Sequence, residues 1–190
     1  MRLGLLGGSF DPPHNGHLLA AGDAFDALAL DRLVFIPAAV QPLKAGRASA
    51  TAAQRLSMVR LLVQGDERFD VSSIEIDRGG LSYTVDTLAD LSDRWPEAEL
   101  FWLVGADVAE SFHKWREPER IVELASVVVL QRAGDKREAS SMLSSARALA
   151  TRRIDISSTE IRQRVRDGKS IRGFVPDAVA DFIVAEQLYR

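Results

Sequence analysis

The chain opens with a strand, a glycine turn and a helix in succession, and the turn admits few folds. Residues 3–6 form a short apolar run that reads as a buried first strand. Leu18, Ala21, Phe25 and Leu28 then fall on one face of a helix. The turn between them is Gly7-Gly8-Ser9-Phe10-Asp11-Pro12-Pro13-His14-Asn15-Gly16-His17. Gly7 and Gly8 are expected to permit close backbone approach and positive φ where it is needed. Pro12 and Pro13 stiffen the entry, and Asn15 is the expected N-cap, with His17 in the first helical turn. A polyphosphate needs what such a turn supplies: backbone N–H groups, the positive end of a helix dipole, and side-chain donors. On spacing alone, the stretch also fits an ordinary tight turn carrying two surface histidines.

Composition narrows the classes. A chain of 190 residues is long enough for one well-buried domain and short for two. Its 46% hydrophobic and 27% charged residues are ordinary for a globular protein. A net charge of −3, from 24 basic and 27 acidic residues, argues against a broad nucleic-acid footprint but not against a small basic pocket. With no cysteine, disulfides, thiol catalysis and thiolate metal sites are excluded. The first apolar run is too short for a signal segment or a spanning helix, so no membrane association and a cytoplasmic location are expected.

Strand-like and helix-like segments alternate along the chain. Strands are expected at 3–6, 32–36, 69–72, 100–104, 127–130 and 153–156, several as continuous apolar runs suited to burial on both faces. Helices are expected near 17–30, 51–64, 83–94, 106–113, 158–167 and 176–187. This alternation predicts an α/β fold: a Rossmann-like open parallel sheet with helices on both faces, forming a single domain over 1–190. Residues 45–53 read as the most loop-like stretch, and 134–145 as a second, weakly patterned one. Ligands of such sheets bind outside the carboxyl ends of the strands. The His14–His17 turn, the segment after Pro37, Gly105-Ala106-Asp107 and Ser157-Ser158-Thr159 should therefore converge on one crevice.

Three more clusters stand near those ends. Ser157 and Glu160 have capping-box spacing, so a helix start there exposes backbone N–H groups, with Ser158 and Thr159 hydroxyls beside them and Arg162 one turn on. Ser82-Tyr83-Thr84 follows Gly79-Gly80 and reads by itself as a helix start. Phe112-His113-Lys114-Trp115 follows Gly105-Ala106-Asp107; Trp115 could offer a flat face to a ring or simply pack in the core. His113 reads as a surface residue, and Trp95 and Trp102 as packing residues.

The first turn resembles the signature of the His-x-Gly-His nucleotidyltransferases, in the form Gly-Gly-Ser-Phe-Asp-Pro-x-His-x-Gly-His. Within them the chain is most similar to the bacterial nicotinate-mononucleotide adenylyltransferases. The stretch Ile156-Ser157-Ser158-Thr159-Glu160-Ile161-Arg162 matches the second signature of that family, Ile-Ser-x-Thr-x-Ile-Arg, which grips ATP phosphates; the C-terminal segment 157–190 carries it. The resemblance makes Gly8, Ser9, Phe10, Gly105, Asp107, Ser157, Ser158 and Thr159 ATP-binding residues. It makes Ser82, Tyr83 and Thr84 the pyridine-recognition loop, with backbone N–H groups near Thr84 meeting the nicotinate carboxylate and Trp115 stacking on the ring. One departure occurs at Gln41-Pro42-Leu43-Lys44, where the family usually has histidine before the basic residue. Leu43 replaces it, while Lys44 keeps a phosphate-neutralising charge in register.

The implied reaction joins the 5′-phosphate of nicotinate mononucleotide to the α-phosphorus of ATP. The nucleophile is already an anion at neutral pH, because a phosphate monoester has its second pKa near ~6. Positioning and charge neutralisation therefore carry the rate. His14 and His17 are assigned to the ATP phosphates, with His17 at the α-phosphoryl transition state. Arg162, Ser158, Thr159 and Lys44 are assigned to the leaving pyrophosphate. Mg²⁺ is expected with ATP, held by phosphate oxygens and water rather than by protein ligands; Asp107 would orient that shell or a ribose. The same chemistry on nicotinamide mononucleotide or phosphopantetheine, and a non-catalytic nucleotide sensor, are the competing readings. A nicotinamide-dependent oxidoreductase fits poorly, since Gly4, Gly7 and Gly8 lack G-x-G-x-x-G spacing and the second strand ends without an acidic residue. The oligomeric state is left open, a homodimer among the options.

Overall fold

A computed structural model describes residues 1–42, 50–132 and 146–190. Six strands form one sheet: β1 (Arg2–Gly8), β2 (Arg32–Pro37), β3 (Phe69–Val71), β4 (Glu99–Gly105), β5 (Ser126–Arg132) and β6 (Arg147–Thr151). Their spatial order is β3-β2-β1-β4-β5-β6, and every neighbouring pair is parallel. Eight helices accompany them among the described residues: α1 (Asn15–Ala27), α2 (Ala52–Val63), α3 (Ile74–Arg78), α4 (Thr84–Arg94), α5 (Ala106–Ala109), α6 (Pro118–Leu124), α7 (Ser158–Arg166) and α8 (Asp177–Ala185).

Both faces of the sheet are buried, which is why the strands read as continuous apolar runs. Leu33 and Phe35 of β2 join Leu6, Leu103 and Val128 beneath Ala21, Met58, Ile161 and Val179. The alternate residues Val34 and Ile36 join Leu5, Trp102 and Val129 on the other face, beneath Leu88 and Ile121. Helices α1, α2, α7 and α8 thus cover one face, and α4 and α6 the other.

This division creates the crevice. β1 and β4 are neighbours, yet the chain leaves β1 onto one face and β4 onto the other. Their carboxyl ends, Gly8 and Gly105, flank the point where the winding reverses, where open α/β sheets bind ligands.

The sixth strand differs from expectation. It spans 147–151, not 153–156. Among the described residues β6 pairs with β5 as far as Thr151 opposite Arg132, and residues 153–156 lie beyond that pairing. Leu149 is the only large apolar residue of β6, which hides it from a pattern search, while the alternating Ile154 and Ile156 imitate a strand. The expected 106–113 helix divides into α5 and a 3₁₀ turn at Phe112–Lys114. Two unexpected helices, α3 and α6, have one buried side chain each, Glu75 and Ile121. Neither is long enough to show a period. Of the two loop-like stretches, 45–49 and 134–145 lie outside the described residues, and α2 already begins at Ala52.

Candidate active site

The first turn is built by packing around His17. His14, not Asn15, is the N-cap of α1, and it is buried. His17 occupies the third helical position and its Nδ1 accepts the His14 backbone N–H at 3.2 Å. That bond assigns the neutral tautomer with hydrogen on Nε2. The His14 and His17 ring centres lie 3.7 Å apart, and Phe10 meets His17 edge-on at 5.1 Å. Gly16 makes this possible, since a Cβ there would stand 3.0 Å from His14 Nδ1.

The other glycines serve space rather than backbone freedom. A Cβ on Gly7 would lie 2.7 Å from Trp102, and one on Gly8 would meet the Phe10 ring at 3.1 Å. The positive φ falls instead on Phe10, at 50°. Phe10 is buried and also packs on Phe35. Ser9 donates its hydroxyl to Gln41 Oε1 at 2.6 Å.

The two signatures meet directly. Arg162 donates Nη1–H to the Asp11 carbonyl at 2.7 Å, and the Ser158 hydroxyl donates to the Pro12 carbonyl at 2.7 Å. Ser157 caps α7, its Oγ accepting the Glu160 N–H at 3.1 Å. The remaining first-turn N–H groups, at Ser158 and Thr159, have no carbonyl within their own helix. Thr159 Oγ1 accepts from Arg162 Nη2 at 3.3 Å. The positive end of α7 and Arg162 are thereby held against the turn that carries His14 and His17.

A buried node beneath the turn escaped the sequence reading. Arg55 is 3% exposed. It donates to the carbonyls of Ser9 at 2.7 Å and Ala39 at 2.9 Å, tying the ends of β1 and β2 together. Burial depresses its pKa while Asp11 and Tyr189 favour its charge. Asp11 Oδ1 accepts the Tyr189 hydroxyl at 2.8 Å and the Ala50 N–H at 3.1 Å. Burial, reinforced by the Asp11 carboxylate, pushes the Tyr189 phenol far up, so it stays a neutral donor. A signal existed for Arg55: it shares an apolar helix stripe with Met58, Val59, Leu62 and Val63.

The remaining candidates flank this core. Gly105 caps α5, and the Asp107 carboxylate folds back so far that a Gly105 Cβ would sit 2.7 Å from it. Ser82 is buried, its Oγ accepting the Ala39 N–H at 2.9 Å. Tyr83 is the N-cap of α4, and Thr84 its first residue. Trp115 is half-buried against Phe112, ring centres 5.2 Å apart. Arg116 joins these two segments, stacked 5.1 Å over the Tyr83 ring and paired with Asp86 at 3.3 Å. His113 is exposed, while Trp102 is buried and Trp95 packs on the second core. Leu43 and Lys44 lie outside the described residues.

Fold and site together define a nucleotidyltransferase: residues 5–164 match the Cytidylyltransferase-like family. Two relatives carrying the name nicotinate-nucleotide adenylyltransferase align over the whole chain. The one from Gemmatimonas aurantiaca is 51% identical over 197 residues, covering 93% of that protein. The one from Thermus thermophilus is 46% identical over 190 residues and is covered completely. The solved structure of Plasmodium falciparum nicotinic acid mononucleotide adenylyltransferase complexed with NaAD shares the fold, with a TM-score of 0.82 at 17% identity. It covers 99% of this chain and 97% of its own. The chain belongs to the nicotinate-nucleotide adenylyltransferases.

Proposed function

We propose that this chain transfers the adenylyl group of ATP to nicotinate mononucleotide, giving nicotinate adenine dinucleotide and pyrophosphate, as a step of NAD biosynthesis. The observation that carries the site assignment is the pair of 2.7 Å bonds from Arg162 and Ser158 to the turn that holds His14 and His17. Those bonds support a reading in which two anion-binding elements far apart in sequence act on one ligand.

The mononucleotide phosphate oxygen forms the new bond to the α-phosphorus as the bond to the bridging oxygen of pyrophosphate breaks. No general base is needed, since the attacking oxygen carries no proton at neutral pH. His17 donates Nε2–H to the α-phosphoryl oxygens as charge shifts, and its orientation is fixed beforehand by the bond to Nδ1. His14, the backbone of Gly8, Ser9 and Phe10, and Lys44 complete the phosphate cradle. Arg162 and the N–H groups of Ser158 and Thr159, behind the Ser157 cap, hold the departing pyrophosphate. Gly105 and Asp107 line the nucleotide pocket, while Ser82, Tyr83, Thr84 and Trp115 hold the pyridine.

Among the described residues, no three His, Asp or Glu side chains gather as metal ligands do. Mg²⁺ would be carried by triphosphate oxygens and water, with charge neutralisation as its contribution. Among the described residues no helix is long and apolar enough to cross a membrane; a cytoplasmic location, where ATP is made available, belongs to the same reading, as does residues 1–190 working as one domain.

Parallel assays of pyrophosphate release with nicotinate and nicotinamide mononucleotides test the proposal. A kcat/KM at least 10-fold higher for the acid is expected if N–H donors at a helix start meet a carboxylate. Equal values would remove the acid specificity, and ATP binding without turnover of either would leave a nucleotide sensor.

A further inference from the structure

Behind the Ser82–Thr84 segment lies a buried carboxylate with no part in the chemistry above. Glu75, on the short helix α3, is 4% exposed. The Thr87 hydroxyl donates to its Oε1 at 2.7 Å, and the nearby Ser82 hydroxyl favours its charged form. These hydroxyls bracket Tyr83 and Thr84 on both sides. Each is tied further. Ser82 accepts the Ala39 N–H at 2.9 Å and donates its own backbone N–H to the Val40 carbonyl at 2.9 Å. Thr87 accepts from Arg78 Nη2 at 2.7 Å, and Arg78 Nη1 pairs with Asp90 at 2.8 Å.

A hydroxyl has one proton, so its direction depends on the acceptor offered. Glu75 accepts from Thr87, leaving Thr87 Oγ1 to receive the Arg78 guanidinium, while Ser82 Oγ beside it receives the Ala39 N–H. Three elements are thus locked in register: the end of β2, the loop before α4, and the first turn of α4. Burial pushes the carboxyl up, while Thr87, Ser82 and the Arg78 charge pull it back. A hydrophobic side chain would fill this place without that desolvation cost but would not orient the Thr87 hydroxyl.

We propose that Glu75 is a positioning residue for the mononucleotide acceptor, fixing the backbone N–H groups at the start of α4 through Thr87. This rests on the reading that those N–H groups and Trp115 hold the pyridine.

The test measures kcat, both KM values and Tm for the wild type, Glu75→Gln, Thr87→Val, the double variant and Trp115→Ala. Thr87→Val removes one link should Glu75→Gln fail to fold. Each of the first two variants is expected to raise the KM for nicotinate mononucleotide about 10-fold, the scale of a misplaced positioning group. The KM for ATP and kcat should stay within about twofold, and the double variant should be no worse than Glu75→Gln alone, because both break one unit. Proportional losses in both KM values and kcat that follow Tm would reduce Glu75 to a stability role and overturn the proposal. An acceptor KM raised by Trp115→Ala but not by the other variants would overturn it and leave the pyridine site standing. An acceptor KM unchanged in every variant would remove the pyridine site as well.

Discussion

In the proposed reaction the imidazole of His17 divides its work between two nitrogens. Nδ1 accepts the His14 N–H, and Nε2–H serves as the donor to a phosphoryl oxygen. His17→Ala should therefore lower kcat by roughly 10²–10³, the usual cost of one preorganised donor to a developing oxyanion, while the KM for ATP changes little. Unchanged turnover with weaker ATP binding would make His17 a plain binding residue. His17 and Arg162 were legible because a motif names them. Their supports were not. Asp11 sits within the same motif, yet nothing in its letter says that its carbonyl receives Arg162 and its carboxylate Tyr189. Those partners are 151 and 178 residues away. Gly7 was legible as a glycine position, but not the need to clear the Trp102 ring, a contact that only the pairing of β1 with β4 creates.

At the scale of elements, the path from β6 to α7 decides whether the second signature reaches the first. The chain leaves the sheet at Arg152, whose backbone N–H donates to Asp23 on α1 at 2.8 Å and whose guanidinium pairs with it at 2.7 Å. Burial works to raise the Asp23 carboxyl, but the Arg152 hydrogen bonds and charge outweigh it and hold the carboxyl below its ordinary 3.8. The unfolded chain lacks that partner, so this stabilisation is present above 3.8 and fades as pH falls through the lower folded value. Asp23→Asn should lower Tm at pH 7, and its gap from the wild type should narrow as pH drops below 3.8. A gap independent of pH would show that the carboxylate charge contributes nothing. Helix positions were readable where an apolar stripe was long, as in α2 and α4. Elements set by pairing or by a single buried residue, β6, α3 and α6, were not.

The proposed site lies where the sheet reverses its winding. The carboxyl ends of the strands were legible as its expected place, because they follow from an alternation of buried strands and helices. The joining of the two ends of the chain was legible only as an expectation, since it depends on Ile161 packing in the same core as Phe10 and Met58. A crystal structure with a non-hydrolysable ATP analogue tests that arrangement most directly. The triphosphate is expected between His17 Nε2 and the first turn of α7, within hydrogen-bond distance of both and of Arg162. Density placing the phosphates against only one of these elements, or away from the carboxyl ends of β1 and β4, would contradict it.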